Sequence, residues 1–600
     1  MPGSRPWYIG GRPPPIPDHP SPEPRPTRAP DTAATPGSRR PRRSALRWGA
    51  VVAVLAASVY VNALSNGFAR DDPTVVEGRE LVREGRVAEA FRAPWWPGPE
   101  VPGAGLYRPL SLGSLAAQWR VFGGAPAGFH AVSALLHTAV SVGLFAFLLV
   151  FLPPAAAGAG ATVFAVHPVH VEAVANVVGQ AELLAALLVL ACLGAYLRAG
   201  RLSPGPGRAA GWVAVGALYF LALLSKEGAV ATPGLVLLVG AAEAARGPDE
   251  ELRPRAAGPG PARTSSGSWA RVRRRVLDEL PLYALLASVL GAYLAVRVEV
   301  LGTVRGELVA PSLLGLGAAE RICAALALWP EYLRLLLFPL DLAADYGPGV
   351  LYPATGVDAG VVAGALILGT LVAATIAGLG LRPGTGEDRR GAAVRPVTAL
   401  GAGWLVMALL PVSHLFFPTG VLLAERMLYL PSVGLALVVS DAVRASDALS
   451  PGVRRGLLAA GAALVVALAA RTVLRNPVWE STATVVASLE GDHPESHVVL
   501  RDRARRALED GRIDDADSLY ARALDLVPRH YGVLVEAAQV SAVRGDWPEA
   551  GARFDRAVAL HPRAPGAYLR VARRLLDAGR TADARVVALQ GIARAEPTAE

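Results

Sequence analysis

The chain has 600 residues, 52% of them hydrophobic and only 18% charged. A soluble chain of that length would divide into several domains with about 25% charged residues, so an apolar surplus on this scale requires lipid as part of the solvent. The net charge of +9 does not point to nucleic acid, because the arginines cluster in loops between apolar runs, as membrane-orientation signals do.

Cys192 and Cys323 both lie in apolar runs and imply no disulfide framework. Of 59 lysines and arginines, Lys226 is the one lysine. Such a bias suggests a GC-rich bacterial genome, and it would have converted position 226 as well unless a primary amine is needed there. Asparagine is almost as scarce, at Asn62, Asn66, Asn176 and Asn476.

Residues 1–43 are rich in Pro, Arg, Ser and Gly without hydrophobic periodicity and read as a disordered tail. The run Arg39–Arg43 precedes a first apolar span at 44–64, which places the tail on the cytoplasmic side. A span needs roughly 20 apolar residues. Ten further candidates follow at about 130–152, 155–175, 180–198, 210–225, 228–245, 277–296, 359–381, 396–413, 420–440 and 456–472. The stretch 318–340 is apolar but interrupted by Arg321, Glu331, Arg334 and two prolines.

Arginine-rich loops at 198–208, 246–275, 382–395 and 444–455 should all be cytoplasmic. Alternating spans satisfy this when 318–340 does not cross an odd number of times, so it is expected to be re-entrant or interfacial. The result is about eleven crossings, an outer loop at 65–128, an outer or re-entrant region at 297–358, and an extracytoplasmic C-terminus.

From about residue 495 the chain turns charged, helical and repetitive. Gly511, Ala516, Tyr520, Ala523 and Pro528 recur 34 residues later as Gly545, Ala550, Phe554, Ala557 and Pro562, and a third copy keeps Gly579 and Ala584. That period is the tetratricopeptide pattern. About three such repeats form a short solenoid that usually holds an extended peptide or a partner helix.

Several polar residues flank or interrupt the apolar spans. Asp71 and Asp72, after the first span, suit general-base work or a divalent cation, and equally a solvated helix cap before Pro73. Trp95 and Trp96 suit an amphipathic helix in the headgroup layer, and Arg108 suits a lipid phosphate or plain headgroup anchoring. His167, His170 and Glu172 have a spacing open to a metal, although Pro168 favours a bent helix end. Lys226–Glu227 and Glu425–Arg426 are either self-neutralising neighbours or functional charges, and His137, Glu182 and His414 complete the set. In the topology given by the loop arginines, most of these residues fall at the outer face. Carboxylates and cations gathered there are what an enzyme acting on a lipid phosphate needs.

The motifs Phe68-x-x-Asp71-Asp72, Tyr107-Arg108-Pro109, His167-Pro168-Val169-His170-x-Glu172, Ser225-Lys226-Glu227, Asp345-Tyr346, Glu425-Arg426-Met427-Leu428-Tyr429 and Asn476-Pro477-x-Trp479 resemble, in order, those of the TMTC family. These are transmembrane, tetratricopeptide-containing protein O-mannosyltransferases, and the resemblance covers roughly 45–597. It implies an all-α fold: a polytopic GT-C type bundle at 44–475 followed by a tetratricopeptide α-solenoid at 476–600. It further implies transfer of mannose from a polyprenyl-phosphate donor to Ser or Thr hydroxyls of an acceptor protein outside the cytoplasm, in a bacterial inner membrane.

On the same resemblance Asp71 is the catalytic base with Asp72 supporting, and Arg108, Lys226 and Arg426 face the donor phosphate. His167, His170, Glu172, Glu227, His414 and Glu425 would shape the site. Gln180 departs from the pattern, standing where the family usually has arginine, and the repeat array is shorter than in the animal proteins. The rival reading is a non-catalytic membrane scaffold that uses its repeats for assembly.

Overall fold

The structure is a computed structural model that describes residues 11, 39–96, 105–246, 268–304, 309–381, 394–561 and 564–594. Most of the expected tail, and parts of the arginine-rich loops at 246–275 and 382–395, lie outside the described residues. All regular structure among the described residues is helical.

The membrane bundle begins with α1 (Arg39–Ser58), α2 (Pro109–Phe122), α3 (Pro126–Leu148), α4 (Pro154–Val166), α5 (Gln180–Gly200), α6 (Pro206–Ser225) and α7 (Thr232–Arg246). It continues with α8 (Ser268–Asp278), α9 (Leu280–Leu301), α10 (Ala318–Leu337), α11 (Ala359–Gly378), α12 (Pro396–Leu409), α13 (Ser432–Ala445) and α14 (Pro451–Arg475). Proline opens many of these helices because the first helical position has no intrahelical acceptor for its N–H.

Eight helical segments among the described residues are long and apolar enough to cross a membrane: Arg42–Ser65, Pro126–Leu148, Val177–Gly200, Pro206–Ser225, Glu227–Ala245, Leu280–Leu301, Ala359–Gly378 and Pro451–Trp479. The other three expected spans, near 155–175, 396–413 and 420–440, are helices of 13 or 14 residues. At 1.5 Å per residue they reach only about 20 Å, short of a hydrocarbon core of roughly 30 Å. They are cut short at the same end of the bundle, where the chain turns irregular at 167–179 and 410–431.

Small residues let these short helices pack deeply. A Cβ on Gly401 of α12 would lie 2.6 Å from the carbonyl of Gly434 in α13, and one on Gly434 would lie 2.5 Å from the carbonyl of Gly401. Residues 318–337 form one helix without a reversal, despite Pro330. Leu336 near its end meets His167 just beyond α4, and Leu326 and Ala327 meet the first turns of α11 at Gly360 and Gly364. Helix α10 therefore keeps to the site end of the bundle.

The C-terminal arm comprises α15 (Thr482–Asp492) and three helical hairpins: α16 (His497–Glu509) with α17 (Ile513–Leu526), α18 (Tyr531–Arg544) with α19 (Trp547–Leu560), and α20 (Pro565–Asp577) with α21 (Thr581–Arg594). Gly511, Gly545 and Gly579 close the first helix of each hairpin at φ of 75°, 86° and 74°, a left-handed conformation that glycine adopts without steric cost. The repeated Ala516, Tyr520, Ala523, Ala550, Phe554, Ala557 and Ala584 are all buried, as the 34-residue pattern requires; Pro562 lies outside the described residues.

The arm is fastened to the site end of the bundle. Asn476 donates from Nδ2 to Val59 O and to Asn62 Oδ1, both at 2.7 Å, and its carbonyl accepts from Asn66 Nδ2 at 3.0 Å. Three of the four asparagines thus form one clamp. Gly67 N–H donates to Glu480 O at 2.9 Å, Arg70 N–H to Thr482 Oγ1 at 2.8 Å, and His497 N–H to Pro348 O at 3.1 Å.

Candidate functional site

Irregular backbone inside an apolar bundle needs partners for its polar groups, and side chains supply them here. Asp72 is fully buried and accepts from the amides of Ala69 (3.2 Å), Val177 (3.1 Å) and Val178 (2.8 Å). The last two amides open the span that begins at Val177, so Asp72 caps that helix from a distant segment and suits its positive end. Burial pushes the Asp72 carboxyl up to about 7, against the opposing pull of its three amide donors.

Asp71 is half-buried, and its carboxylate has no hydrogen bond or ion pair among the described residues. The two aspartates do not form a chelate: both Asp72 oxygens are committed to amides, and Asp71 lies within the field of the Arg426 guanidinium. A divalent cation does not fit this donor set. No group of three or more His, Cys, Asp or Glu among the described residues is arranged for a metal.

A row of charges extends from Asp71. Arg426 donates from its guanidinium to Glu172 Oε1 and from its backbone amide to Glu172 Oε2 at 2.9 Å. Glu182 lies within the field of Arg426 and is bonded to the Lys226 ammonium. Lys226 in turn lies within the field of Arg108, whose Nε donates to Glu227 Oε2 at 2.9 Å while its guanidinium sits 5.3 Å from the Trp95 ring centre. Arg297 closes the row at 3.5 Å from Glu227 Oε1.

Four cations and four carboxylates therefore lie side by side at one end of an apolar bundle, at positions costly to maintain unless they are used. Neither adjacent pair is self-neutralising. Lys226 reaches Glu182 while Glu227 reaches Arg108 and Arg297. Arg426 reaches Glu172 while the fully buried Glu425 accepts from Tyr346 Oη at 3.1 Å and lies 3.4 Å from Arg475 Nη2.

The histidines stand apart from this row. His167 accepts at Nδ1 from Val169 N–H (3.2 Å) and donates from Nε2 to Leu336 O (2.9 Å), capping the bent helix end that Pro168 favours. His170 Nε2–H donates to Ser432 Oγ at 2.8 Å, whose own proton goes to Tyr429 O. His137 packs among Tyr60, Phe164, His170 and Tyr429, and its Nδ1 accepts a hydrogen bond from the Tyr429 hydroxyl at 2.8 Å. Both nitrogens of His167 are committed, and His167, His170 and Glu172 are not arranged around a common ligand among the described residues.

His414, at φ 62°, accepts from Thr419 N–H and donates to Leu422 O at 2.8 Å, which shapes the 414–422 loop instead of joining the charges. The paired tryptophans also differ from expectation. They lie outside any helix, and Trp95 is buried with Val75, Val76 and Leu81, held by Arg79 donating to its carbonyl at 2.6 Å. Both belong to a small apolar cluster beside Arg108, in place of the amphipathic helix expected. Gln180, where an arginine was expected, is buried against Gln118 and exchanges hydrogen bonds with it at 2.8 and 3.1 Å.

Sequence reading missed Arg297, Arg475 and Arg70, and noted Glu182 without assigning it to the site. Arg297 lies near the C-terminal end of an apolar helix, where a basic residue reads as an end marker.

The fold and site define an all-helical, multi-pass membrane protein with a helical-repeat arm and a half-buried row of charges whose Asp71 end lies where the two meet. The chain is distantly homologous to the TMTC protein O-mannosyl-transferases. It is 29% identical to human TMTC4 over 474 residues, covering 72% of this chain and 60% of that protein. It is 26% identical to Drosophila melanogaster Tmtc3 over 573 residues, covering 84% and 58% respectively. Identity rises to 38% over 186 residues with Drosophila melanogaster Tmtc2, covering 29% of this chain and 20% of that protein. The chain spans about half to three-fifths of the length of the long-matching relatives. No family model matches it.

Proposed function

We propose that the protein is a membrane glycosyltransferase that moves a sugar, mannose on the analogy of its relatives, from a polyprenyl-phosphate donor to Ser or Thr hydroxyls of a protein on the extracytoplasmic side. The observation that carries this reading is Asp71, a carboxylate without a bonded partner at the head of a row of cations. A phosphodiester-linked sugar needs cations to hold the departing phosphate, and an attacking hydroxyl needs a base.

In this reading the Asp71 carboxylate takes the hydroxyl proton as the acceptor oxygen bonds to the anomeric carbon. The bond from that carbon to the phosphate oxygen breaks, its electron pair leaves with the polyprenyl phosphate, and the configuration inverts. Arg426, Lys226 and Arg108 stabilise the phosphate's growing charge, and the carboxylates beside them keep the site neutral while it is empty. Glu172, Glu227, Glu425, His167, His170 and Asp72 are positioning residues.

The test incubates the purified full chain in lipid nanodiscs with labelled polyprenyl-phosphate mannose and a panel of Ser/Thr peptides. Wild type should label peptide and Asp71→Asn should not. A wild type that labels none of the panel, or an Asp71→Asn variant that labels at the wild-type rate, overturns the reading and favours a scaffold.

A further inference from the structure

Between the first repeats and the loops of the bundle lies a cavity of about 220 Å³, walled in part by Arg70, Asp345, Leu422, His497, Arg501 and His530. A second cavity of about 290 Å³ shares Pro311, Ser312 and His530 with the first and continues past Tyr352 and Val527. Together they form a groove along the junction of arm and bundle. Two segments that carry the Asp71 end of the charge row also wall it, one through Arg70 beside Asp71 and the other through Leu422 and Leu423 ahead of Arg426.

The cations of the first cavity differ in how fully they are used. Arg501 gives two hydrogen bonds to Glu536, at 2.7 and 2.5 Å. Burial holds His497 below the usual imidazole range and His530 down to about 4, so both rings are neutral near pH 7. Arg70 has its nearest counter-charge on Asp345 at 3.9 Å, beyond hydrogen-bond distance, and its guanidinium donates to nothing among the described residues. Its φ of 57° is left-handed, a strained conformation for a long side chain, and it separates an Arg70 that faces the groove from an Asp71 in the field of Arg426.

We infer that the groove seats an extended segment of the acceptor protein and that Arg70 takes a carboxylate on it, an Asp or Glu close in sequence to the hydroxyl presented to Asp71. This rests on the transferase reading. Arg70 and Asp71 are consecutive residues, so the acidic residue and the hydroxyl lie near each other in the acceptor's sequence. A carboxylate matches the planar donor fork of Arg70, forming charge-assisted bonds that the distant Asp345 does not supply.

The experiment uses fluorescent Ser/Thr peptides with an Asp at each of three positions on either side of the hydroxyl, each with an Asn twin. Binding to the full-length protein is read by anisotropy without donor. At one or two positions the Asp peptide should bind about tenfold more tightly than its twin. Arg70→Gln should erase that preference while leaving the Asn peptide bound as before, which also reports an intact fold, and Arg70→Glu should favour a Lys peptide. Equal binding of Asp and Asn peptides at every position, or a preference that survives Arg70→Gln, overturns the inference. Because binding is read without sugar transfer, the two readings fail separately. Labelled transfer with equal binding removes the groove assignment alone, whereas an Arg70-dependent preference without any transfer supports the groove and removes the transferase reading.

Discussion

The ammonium of Lys226, at the end of α6, is bonded to the carboxylate of Glu182 in the first turn of α5. Both side chains are nearly enclosed, at 13% and 11% exposure, so each is the other's main compensation for leaving water. Lys226→Met strands a carboxylate and should cost roughly 3–5 kcal/mol, whereas the double change Lys226→Met with Glu182→Gln should recover most of that. Thermal unfolding in detergent checks the stability half. Transfer should drop about 10²–10³-fold in both variants, because neither can stabilise a leaving phosphate from this position. An active double variant would remove Lys226 from the donor site.

Asp71 and Asp72 are neighbours in sequence with opposite situations, and the same substitution should separate them. Asp71→Asn removes no hydrogen bond in the structure, so unfolding should be unchanged while transfer falls about 10²–10⁴-fold. Asp72→Asn turns an acceptor of three amides into a group with one acceptor oxygen. It should cost roughly 1–3 kcal/mol and loosen the contact between residues 69–72 and 177–178. Hydrogen exchange at Val177 and Val178 reads this directly, and protection there should fall only in the Asp72 variant.

The parts of the site that sequence revealed are those with local or compositional signals. A lone lysine in an arginine-rich chain, four asparagines and a 34-residue period each mark a position that composition alone would not keep. Lys226 joins the charge row, three asparagines form the clamp, and the repeated glycines close the hairpins. The missed features join residues far apart in the chain. Asp72 meets Val177 across 105 positions, and Arg426 meets Glu172 across 254. No spacing rule encodes such a pairing. The same limit explains Trp95: adjacent tryptophans read as an interfacial belt until residues 75–82 are seen to cover one of them. The apolar runs at 155–175 and 420–440 extend beyond the short helices α4 and α13, so hydropathy alone does not show where the helices end.

His530 makes the arm sensitive to acid. Its Nδ1 accepts from Val533 N–H at the start of α18, which only the neutral ring can do. Burial holds its pKa near 4, with Arg501 and His497 pushing the same way and Glu536 opposing, against an ordinary value of 6.5. Between these values the unfolded chain binds the proton and the folded arm does not. Stability from this group is therefore complete above pH 6.5 and is lost as pH falls towards 4, by about 3 kcal/mol over the range. Hydrogen exchange across Tyr531–Arg544 should accelerate from pH 7 to 4.5 relative to the intrinsic rate. His530→Asn keeps a capping oxygen without titrating there, so it should flatten that dependence.

Gly511, Gly545 and Gly579 offer a test of the repeats that is independent of the site. Each holds a left-handed φ, and a Cβ at any of them would meet nothing within 4 Å. The whole penalty of Gly→Ala is therefore conformational, about 1–2 kcal/mol per position. The three sites lie 34 residues apart, and changes at distant sites add. The triple variant should lose roughly the sum, with protease susceptibility rising in residues 497–594 and unchanged in the membrane bundle. Asn, which tolerates the left-handed region better, should cost less than Ala at each site. A loss confined to one glycine would mean that the hairpins are not equivalent units, and equal losses at all three would identify them as copies of one.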